Sequence, residues 1–368
     1  MAAFCISTTL VSGFAGVGKS TLIENLRSLL KNQMVPLKAL VVCDEGAEDA
    51  VFLKKVNDAI RAQPADVLLI ESACDGEPFF GAELLSFGEP GVLREQLLRL
   101  DTLVTVIDTS RFIADVLASE DPVELGTRCV IDDERTVSEI LIEQIEFADV
   151  IVLNKADLCD DALIRQTSAL VERLNPRARI LSTIRGAIAA EEVINAGLFD
   201  MEETDDGAGW LAQLQGEFEG VGIDHGVMSF TYKERRPFHP RRFHEMLELF
   251  AIEGLVRAKG SIWIASRHQE IGVWSLAGAA SLLTYGGAWF AATPANEWPL
   301  GEEDRAEILE DWAAPFGDRR QEIAFIGIDF DMNMIRKELD ACLMTSAEMR
   351  NGPDGWQELV DPLPDWHI

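Results

Sequence analysis

A glycine-rich segment near the start of the chain constrains the fold more than any other feature. Residues 13–21 read Gly-Phe-Ala-Gly-Val-Gly-Lys-Ser-Thr, an apolar run over 5–11 precedes them, and a helical pattern over 21–30 follows. A buried strand that enters a glycine-rich turn and then a helix is typical of a phosphate-binding loop, because the positive N-terminal end of the helix lies under the anion. A plain glycine turn is the alternative. The segment predicts a nucleotide site.

The residues of this loop have distinct expected roles. Gly13 and Gly18 let the backbone turn so that successive N–H groups meet phosphate oxygens. Lys19 adds a cation near the β and γ phosphates and is the expected catalytic cation, and Ser20 offers its hydroxyl to Mg²⁺. The expected nucleotide-binding residues of this segment are Gly13, Gly16, Val17, Gly18, Lys19, Ser20 and Thr21.

Apolar segments that alternate with helical patterns predict the fold around this loop. The strand-like segments are 5–11, 37–42, 66–70, 102–107, 149–153 and, more weakly, 178–182, and the helical patterns between them include 49–62, 134–148 and 161–174. Strands that are apolar on both faces indicate a parallel sheet covered by helices on both sides. We therefore predict an α/β fold of the P-loop NTPase type, with ligands at the carboxyl ends of the strands.

The character of the sequence changes after this region. The chain has 368 residues, which suggests two domains. We predict a P-loop GTPase domain over 1–196, an acidic linker over 197–224, and a smaller α+β domain over 225–368. Its predicted strands are 227–232, 260–265, 272–276 and 322–328, and its predicted helices are 240–250 and 333–343.

Charge and composition exclude some partners. The net charge is −31, and this acidity repels nucleic acid and anionic membrane surfaces. No apolar stretch is long enough to cross a bilayer, and the start of the chain lacks a charged segment before its apolar run. We therefore expect a cytoplasmic protein with no nucleic-acid or membrane partner. The six cysteines form no C-x-x-C pair, and they do not imply disulfides.

The fifth predicted strand leads into a guanine-recognition pattern. Asn154, Lys155 and Asp157 form N-K-x-D, more than a hundred residues after the phosphate loop. The two carboxylate oxygens of Asp157 can accept the N1–H and the exocyclic amine of guanine, and adenine cannot supply that pair of donors. The alternative is an ordinary loop in which Asp157 caps a helix. The pattern predicts that these three residues bind GTP.

Acidic side chains follow other strands at the same sheet edge. Glu71 ends the third strand, where a carboxylate can hold Mg²⁺ directly or through water, or can orient the attacking water. We assign it a catalytic and Mg²⁺-binding role, with a cap on the next turn as the alternative. Asp44 is a second Mg²⁺ candidate, for which a solvated loop acid is nearly as good an interpretation. We expect Asp108 to order the turn 108–110.

Taken together, these motifs resemble the CobW family of P-loop GTPases, relatives of the urease and hydrogenase maturation GTPases. The CobW family includes zinc metallochaperones and nitrile hydratase activators. It covers nearly the whole chain and rests on the phosphate loop, on Ile70-Glu71-Ser72 with Pro78, on 135–157, and on 236–240, 257–260 and Trp263 in the second domain. It implies GTP hydrolysis with Mg²⁺, coupled to handling of zinc, cobalt or iron. It also implies a metalloprotein client that contacts the C-terminal domain. The oligomeric state stays open, with a homo-oligomer among the options.

Two departures from the family pattern stand out. The family carries a C-x-C-C metal motif between the second and third strands, but residues 44–70 contain no cysteine. Cys74 stands where the family's E-S-x-G segment has glycine, so hydrolysis could be slow. Cys43 and Cys74 both follow strand ends, and we hypothesise that they form a substitute site for Zn²⁺ or another transition metal, or a redox-sensitive site. Two unrelated packed cysteines remain the simpler interpretation.

Three functions are therefore compatible with the sequence. The first is a cytoplasmic GTPase of metal trafficking or metalloenzyme maturation. The second is a GTP-dependent regulatory or scaffold protein with weak hydrolysis and no metal transfer. The third, an ATP-using kinase-like enzyme, is disfavoured by Asp157.

Overall fold

A computed structural model of the chain describes residues 6–32, 34, 36–43, 49–63, 65–73, 98–117, 135–201, 209–216, 223–299 and 301–366. The chain divides into two compact units. The first comprises residues 1–212 with 224–227, and the second comprises 213–223 with 228–368. The predicted domain limits at 196 and 224 stay a prediction.

The first unit is built on a six-stranded parallel sheet. Its strands are β1 (Ile6–Ser12), β2 (Ala39–Cys43), β3 (Val67–Glu71), β4 (Leu98–Asp108), β5 (Val150–Asn154) and β6 (Arg179–Ser182), in the spatial order β2-β3-β1-β4-β5-β6. Every residue of β1 and β5 is buried. Both faces of the sheet are therefore covered, and the predicted α/β fold is confirmed.

Helices connect these strands. They are α1 (Lys19–Lys31), α2 (Asp49–Ala62), α3 (Phe112–Leu117), α4 (Val137–Glu146) and α5 (Asp161–Leu174), and a further helix, α6 (Gly209–Leu214), follows β6. The starts of α4 and α5 are specified locally. Thr136 and Glu139 form a reciprocal capping box, and the side chain of Asp160 accepts a hydrogen bond from the Leu163 N–H. The cap at Asp160 ends the loop that carries the guanine-recognition pattern.

The second unit contains a five-stranded sheet in the order β10-β9-β8-β11-β7. Its strands are β7 (Val227–Glu234), β8 (Leu255–Ile262), β9 (Glu270–Ala277), β10 (Ala280–Ala288) and β11 (Gln321–Ile328); its helices are α7 (Pro240–Leu249), α8 (Glu302–Glu310), α9 (Met332–Cys342), α10 (Ser346–Met349) and α11 (Gly352–Trp356). The described pairings β10–β9, β9–β8 and β8–β11 are antiparallel. Aromatic rings fill the core, with Trp274 packed edge-on against Phe243 and Phe325.

The structure differs from the predicted elements of the second unit in several places, of which three bear on its sheet and its surface. Strand β10 and helix α8 were not predicted, since β10 is largely exposed and α8 is mostly charged, so neither has a clear apolar period. Strand β8 begins at Leu255 instead of residue 260, because Arg257 and Lys259 interrupt its apolar pattern. Arg257 is nevertheless buried, and its guanidinium donates to Ser275 Oγ at 2.8 Å.

Within the described ranges, none of the helices combines the length and the apolar character that crossing a membrane requires.

Candidate nucleotide site

The phosphate loop joins β1 to α1 through glycines in left-handed backbone conformations. The φ angles are 138° at Gly13, 73° at Gly16 and 108° at Gly18. A Cβ on Gly13 would lie 2.3 Å from the Val106 carbonyl oxygen, and one on Gly18 would lie 2.4 Å from Asn154 Nδ2. These two positions therefore require glycine for space as well as for φ. A Cβ on Gly16 would meet no atom within 4 Å, so this residue borders open space.

The backbone of this loop offers unpaired donors. Among the described residues, no acceptor takes a hydrogen bond from the N–H groups of residues 14–18. The chain lacks a side-chain cap at the start of α1, where Gly18 is the N-cap residue. Unpaired N–H groups and a helix N-terminus together favour a bound anion. The loop therefore fits the phosphates of a nucleotide.

Lys19 lies folded back onto the loop that it follows. Its Nζ donates to the Gly13 carbonyl and, at 3.3 Å, to the Phe14 carbonyl. The residue is 9% exposed, so a cation is held close to the unpaired N–H groups. A phosphate group would give this ammonium a charged acceptor in place of two carbonyls.

Ser20 and Glu71 bring two oxygen ligands together. Ser20 Oγ donates to Glu71 Oε1 at 2.7 Å, and Cys43 Sγ lies 3.7 Å from Glu71 Oε2. The three residues stand at the start of α1 and at the ends of β3 and β2. A hydroxyl and a carboxylate are hard oxygen donors of the kind that Mg²⁺ takes beside nucleotide phosphates, so this pair fits that ion.

Asn154 ties the guanine-recognition pattern to the phosphate loop. Its Nδ2 donates to the Val17 carbonyl at 2.8 Å, and its Oδ1 accepts from the Gly186 N–H at 2.9 Å. Asn154 is 2% exposed, and both polar atoms of its side chain take part in joining three loops. The three segments lie 137 and 32 residues apart along the chain.

Lys155 and Asp157 follow directly in a strained turn. Lys155 has φ 60°, and its Nζ lies 2.7 Å from Asp108 Oδ2. Asp157 lies in a short 3₁₀ turn, Ala156–Leu158, with an exposed side chain. An exposed carboxylate can accept hydrogen bonds from a base. The structure therefore presents Asp157 to solvent on the same loop that Asn154 anchors.

Sequence reasoning missed the loop after β6. The carbonyls of Arg185 and Gly186 accept from Asn25 Nδ2 at 2.8 and 3.2 Å. Gly186 has φ 64°, and a Cβ there would lie 2.9 Å from Leu22 Cα. The loop thus packs on α1 and on Asn154, beside the expected base site. A glycine just past the sixth strand, at the carboxyl edge of a parallel sheet, is the signal that could have identified it.

The predicted metal ligands are placed only in part. Cys43 is exposed at the end of β2, and Lys55 Nζ donates to its carbonyl at 2.7 Å. Asp44 and Cys74 lie outside the described residues. Across the described portion of the chain, no three His, Cys, Asp or Glu side chains are grouped so as to hold a metal ion. The substitute site at Cys43 and Cys74 therefore stays a prediction.

Two family descriptions match the chain. Residues 29–182 match "CobW/HypB/UreG, nucleotide-binding domain", and residues 227–343 match "Cobalamin synthesis protein cobW C-terminal domain". The first match begins after the phosphate loop at 13–21. The loop is thus an observation on this chain that is separate from the matched stretch.

Curated relatives extend this similarity. A Dictyostelium discoideum protein named zinc-regulated GTPase metalloprotein activator 1 is 35% identical over 327 residues, which cover 88% of this chain and 68% of the relative. A Mycobacterium tuberculosis protein named as a zinc chaperone is 30% identical over 273 residues, which cover 73% of this chain and 63% of the relative. The chain therefore spans about two thirds of the length of these relatives.

A solved structure of similar extent is that of the zinc-bound YjiA GTPase from E. coli. It shares 16% sequence identity with a TM-score of 0.38, and the alignment covers 92% of this chain and 99% of that one.

Proposed function

Because this chain belongs to the CobW/HypB/UreG family of P-loop GTPases, we propose that it hydrolyses GTP with Mg²⁺ and couples hydrolysis to metal trafficking or metalloenzyme maturation. The observation that supports this most directly is the double hydrogen bond of Asn154, to Val17 of the phosphate loop and to Gly186. It holds the guanine-recognition segment at a short, constant distance from the phosphate loop. That geometry suits a ligand with a guanine at one end and phosphates at the other.

The chain's own residues divide the work of phosphoryl transfer. The N–H groups of residues 14–18 donate hydrogen bonds to phosphate oxygens, and the Lys19 ammonium leaves its two loop carbonyls to bind the β and γ phosphates. Ser20 and Glu71 would hold Mg²⁺, which when bound neutralises charge on the phosphates. We assign to the second oxygen of Glu71 the orientation of the attacking water and the acceptance of its proton.

Guanine selection is assigned to Asp157. Two acceptor oxygens match the N1–H and the amine of guanine, and an adenine in the same position would leave them unpaired. Lys155 and Asn154 build the loop that presents this carboxylate. We keep Gly13, Gly16 and Thr21 in the same nucleotide-binding set.

The metal cargo is proposed from ligand chemistry and from the relatives. Both curated relatives above carry zinc in their names, and Cys43 places a thiol against the Mg²⁺ carboxylate Glu71. Thiolates favour Zn²⁺ and other soft or borderline ions. We propose Cys43 with Cys74 as the transition-metal ligands and retain Asp44 as a second Mg²⁺ ligand. Cobalt and iron remain alternatives to zinc.

The proposal also covers a client and a location. We propose that a metalloprotein client binds residues 225–368 and that the protein acts in the cytoplasm, with a homo-oligomer among the options for its oligomeric state. The net charge of −31 disfavours nucleic acid and anionic membranes as competitors for this role.

Phosphate release tests the enzymatic part. The full chain is assayed with GTP or ATP, with and without Mg²⁺, beside Lys19→Ala as an inactive control. GTP turnover that requires Mg²⁺ and Lys19 is expected, with ATP far slower. Turnover of ATP in preference to GTP would overturn the guanine assignment. Guanine binding without turnover would leave the regulatory or scaffold function.

Metal binding is measured separately. Zn²⁺ is titrated into wild type and into Cys43→Ser/Cys74→Ser, each with GTP or GDP bound, and Cys342→Ser serves as the matched control because Cys342 is buried in the second unit. We expect one equivalent fewer in the double variant and full binding in the control. Equal stoichiometry in wild type and double variant would contradict the thiol site.

A further inference from the structure

The ion pair of Asp108 with Lys155 concerns a residue that no motif assigns to nucleotide binding. Asp108 is the last residue of β4 and stands opposite Asn154 in the β4–β5 register. Its Oδ2 lies 2.7 Å from Lys155 Nζ. The side chain of Asp108 is 11% exposed and that of Lys155 is 32% exposed, so the pair is largely shielded from solvent.

The second oxygen of Asp108 fixes the carboxylate in place. Oδ1 accepts from the Ser110 N–H at 3.1 Å and from Ser110 Oγ at 2.6 Å. Burial alone would raise the pKa of Asp108, but the hydrogen bonds from Lys155 and Ser110 outweigh it and hold the pKa below its ordinary value. The carboxylate is therefore ionised and oriented in the folded protein, where Ser110 and Lys155 both hold it.

The backbone of Lys155 is strained. Its φ of 60° lies in the left-handed region, which costs a non-glycine residue free energy. The strained residue turns the chain from β5 into the 3₁₀ turn that carries Asp157, and the Leu158 N–H closes that turn on the Lys155 carbonyl at 3.0 Å. The path of the guanine-recognition loop thus depends on how Lys155 is held.

The position of the pair relative to the base site gives it a function. Asn154 links the same loop to the phosphate loop, and the Ala156 N–H donates to the Thr183 carbonyl at 3.1 Å on the other side. Because Lys155 begins the short turn that carries Asp157, we expect a planar base that pairs with Asp157 to lie along the Lys155 stem. Because Asp108 fixes the ammonium group at the far end of Lys155, the alkyl stem of Lys155 stays extended and forms one wall of the base site.

We propose that Asp108 is a positioning residue for guanine nucleotide: it holds Lys155 by its ammonium group and so sets how long GTP or GDP stays bound. The inference rests on the proposed function. It predicts an effect on nucleotide release and on KM, and no effect on the chemical step at saturation.

The test follows release of fluorescently labelled GDP from the full chain. Asp108→Asn keeps an oxygen for Ser110 but presents no charge to Lys155, and we expect release about tenfold faster, with KM for GTP raised and kcat unchanged. Asp115→Asn is the matched control, since it removes the same charge from the neighbouring Arg111 ion pair at 3.1 Å. Its release rate should stay at the wild-type value.

A variant that lacks the Lys155 ammonium distinguishes a positioning role of Asp108 from a general effect on protein stability. In Lys155→Met, the further change Asp108→Asn should add nothing to the release rate, because the partner is already gone. Thermal unfolding of each nucleotide-free variant checks that it is folded, and Lys155→Met reports on the same pair if Asp108→Asn does not fold.

Two outcomes would overturn the inference: wild-type release from Asp108→Asn, or additive effects of the two changes. Failure of the wild-type chain to bind labelled GDP would instead contradict the proposed function.

Discussion

Ser20 Oγ donates a hydrogen bond to Glu71 Oε1 at 2.7 Å, across 51 residues of sequence. The contact joins the end of the phosphate loop to the carboxyl end of β3. It places a hydroxyl and a carboxylate where both can reach one divalent ion. Neither residue alone indicates a divalent-ion site, since serine and glutamate are common on protein surfaces.

Glu71→Gln should slow hydrolysis more than it weakens nucleotide binding. The amide keeps an oxygen acceptor for Ser20 but loses the charge that favours Mg²⁺ and accepts a proton from water. We expect kcat to fall about 100-fold. Glu24→Gln is the control, since Glu24 lies on α1 in an exposed pair with Arg27. Steady-state phosphate release measures both, and equal rates for wild type and Glu71→Gln would exclude the catalytic role.

The glycines of the phosphate loop differ in how much space they have. Gly18→Ala places a Cβ against Asn154 at a φ of 108°, whereas Gly16→Ala points into open space at 73°. In the nucleotide-free protein we expect a loss of about 3 kcal/mol of unfolding free energy for Gly18→Ala and about 1 kcal/mol for Gly16→Ala. Urea denaturation of the two variants measures this. Equal losses would mean that the clash is relieved by movement of Asn154.

Asp157→Asn should change the preferred base. Asparagine offers one acceptor and one donor, which match the N1–H and the C2 carbonyl of xanthine instead of the two donors of guanine. We expect GTP affinity to fall about 100-fold and XTP affinity to rise. Competition binding with GTP, XTP and ATP is the measurement. Asp160→Asn, which keeps the cap of α5, should leave the preference for GTP intact.

Asp149 should make stability depend on pH with a particular sign. Burial raises its pKa from 3.8 to about 6, although the Leu103 N–H and Arg177 oppose the shift; Asp101 adds to it. The folded state therefore binds this proton more tightly than the unfolded state. The contribution of protonated Asp149 to the unfolding free energy is complete below pH 4 and is lost as the pH rises through 6.

Asp149→Asn isolates this effect, because asparagine keeps an acceptor for Leu103 and never ionises. Relative to the variant, the wild type should lose about 2 kcal/mol of unfolding free energy between pH 4 and pH 7. Denaturation of both proteins across this range gives the difference directly. A difference that stays constant with pH would show that Asp149 has an ordinary pKa in the folded chain.

Local patterns were enough for most of the first unit. Helices α2 and α5 begin and end at the predicted residues, and β5 follows its apolar run with a shift of one residue. Strand β5 is buried at every residue, α5 has a cap at its first turn, and α2 buries one side of an amphipathic pattern. Strand β10 escaped prediction because only Leu283 of its apolar side chains is buried, and an edge strand needs no apolar period.

By itself, the sequence determined that this protein has a phosphate loop, a parallel sheet and a guanine-recognition pattern, because glycine spacing and apolar periods act over neighbouring residues. Only the tertiary structure decided which side chains meet at the sheet edge. Asn154 is committed to Val17 and Gly186, Ser20 to Glu71, and Lys155 to Asp108. Such pairings join residues that are distant in the chain, and a polar side chain takes the partner that folding brings within hydrogen-bond distance.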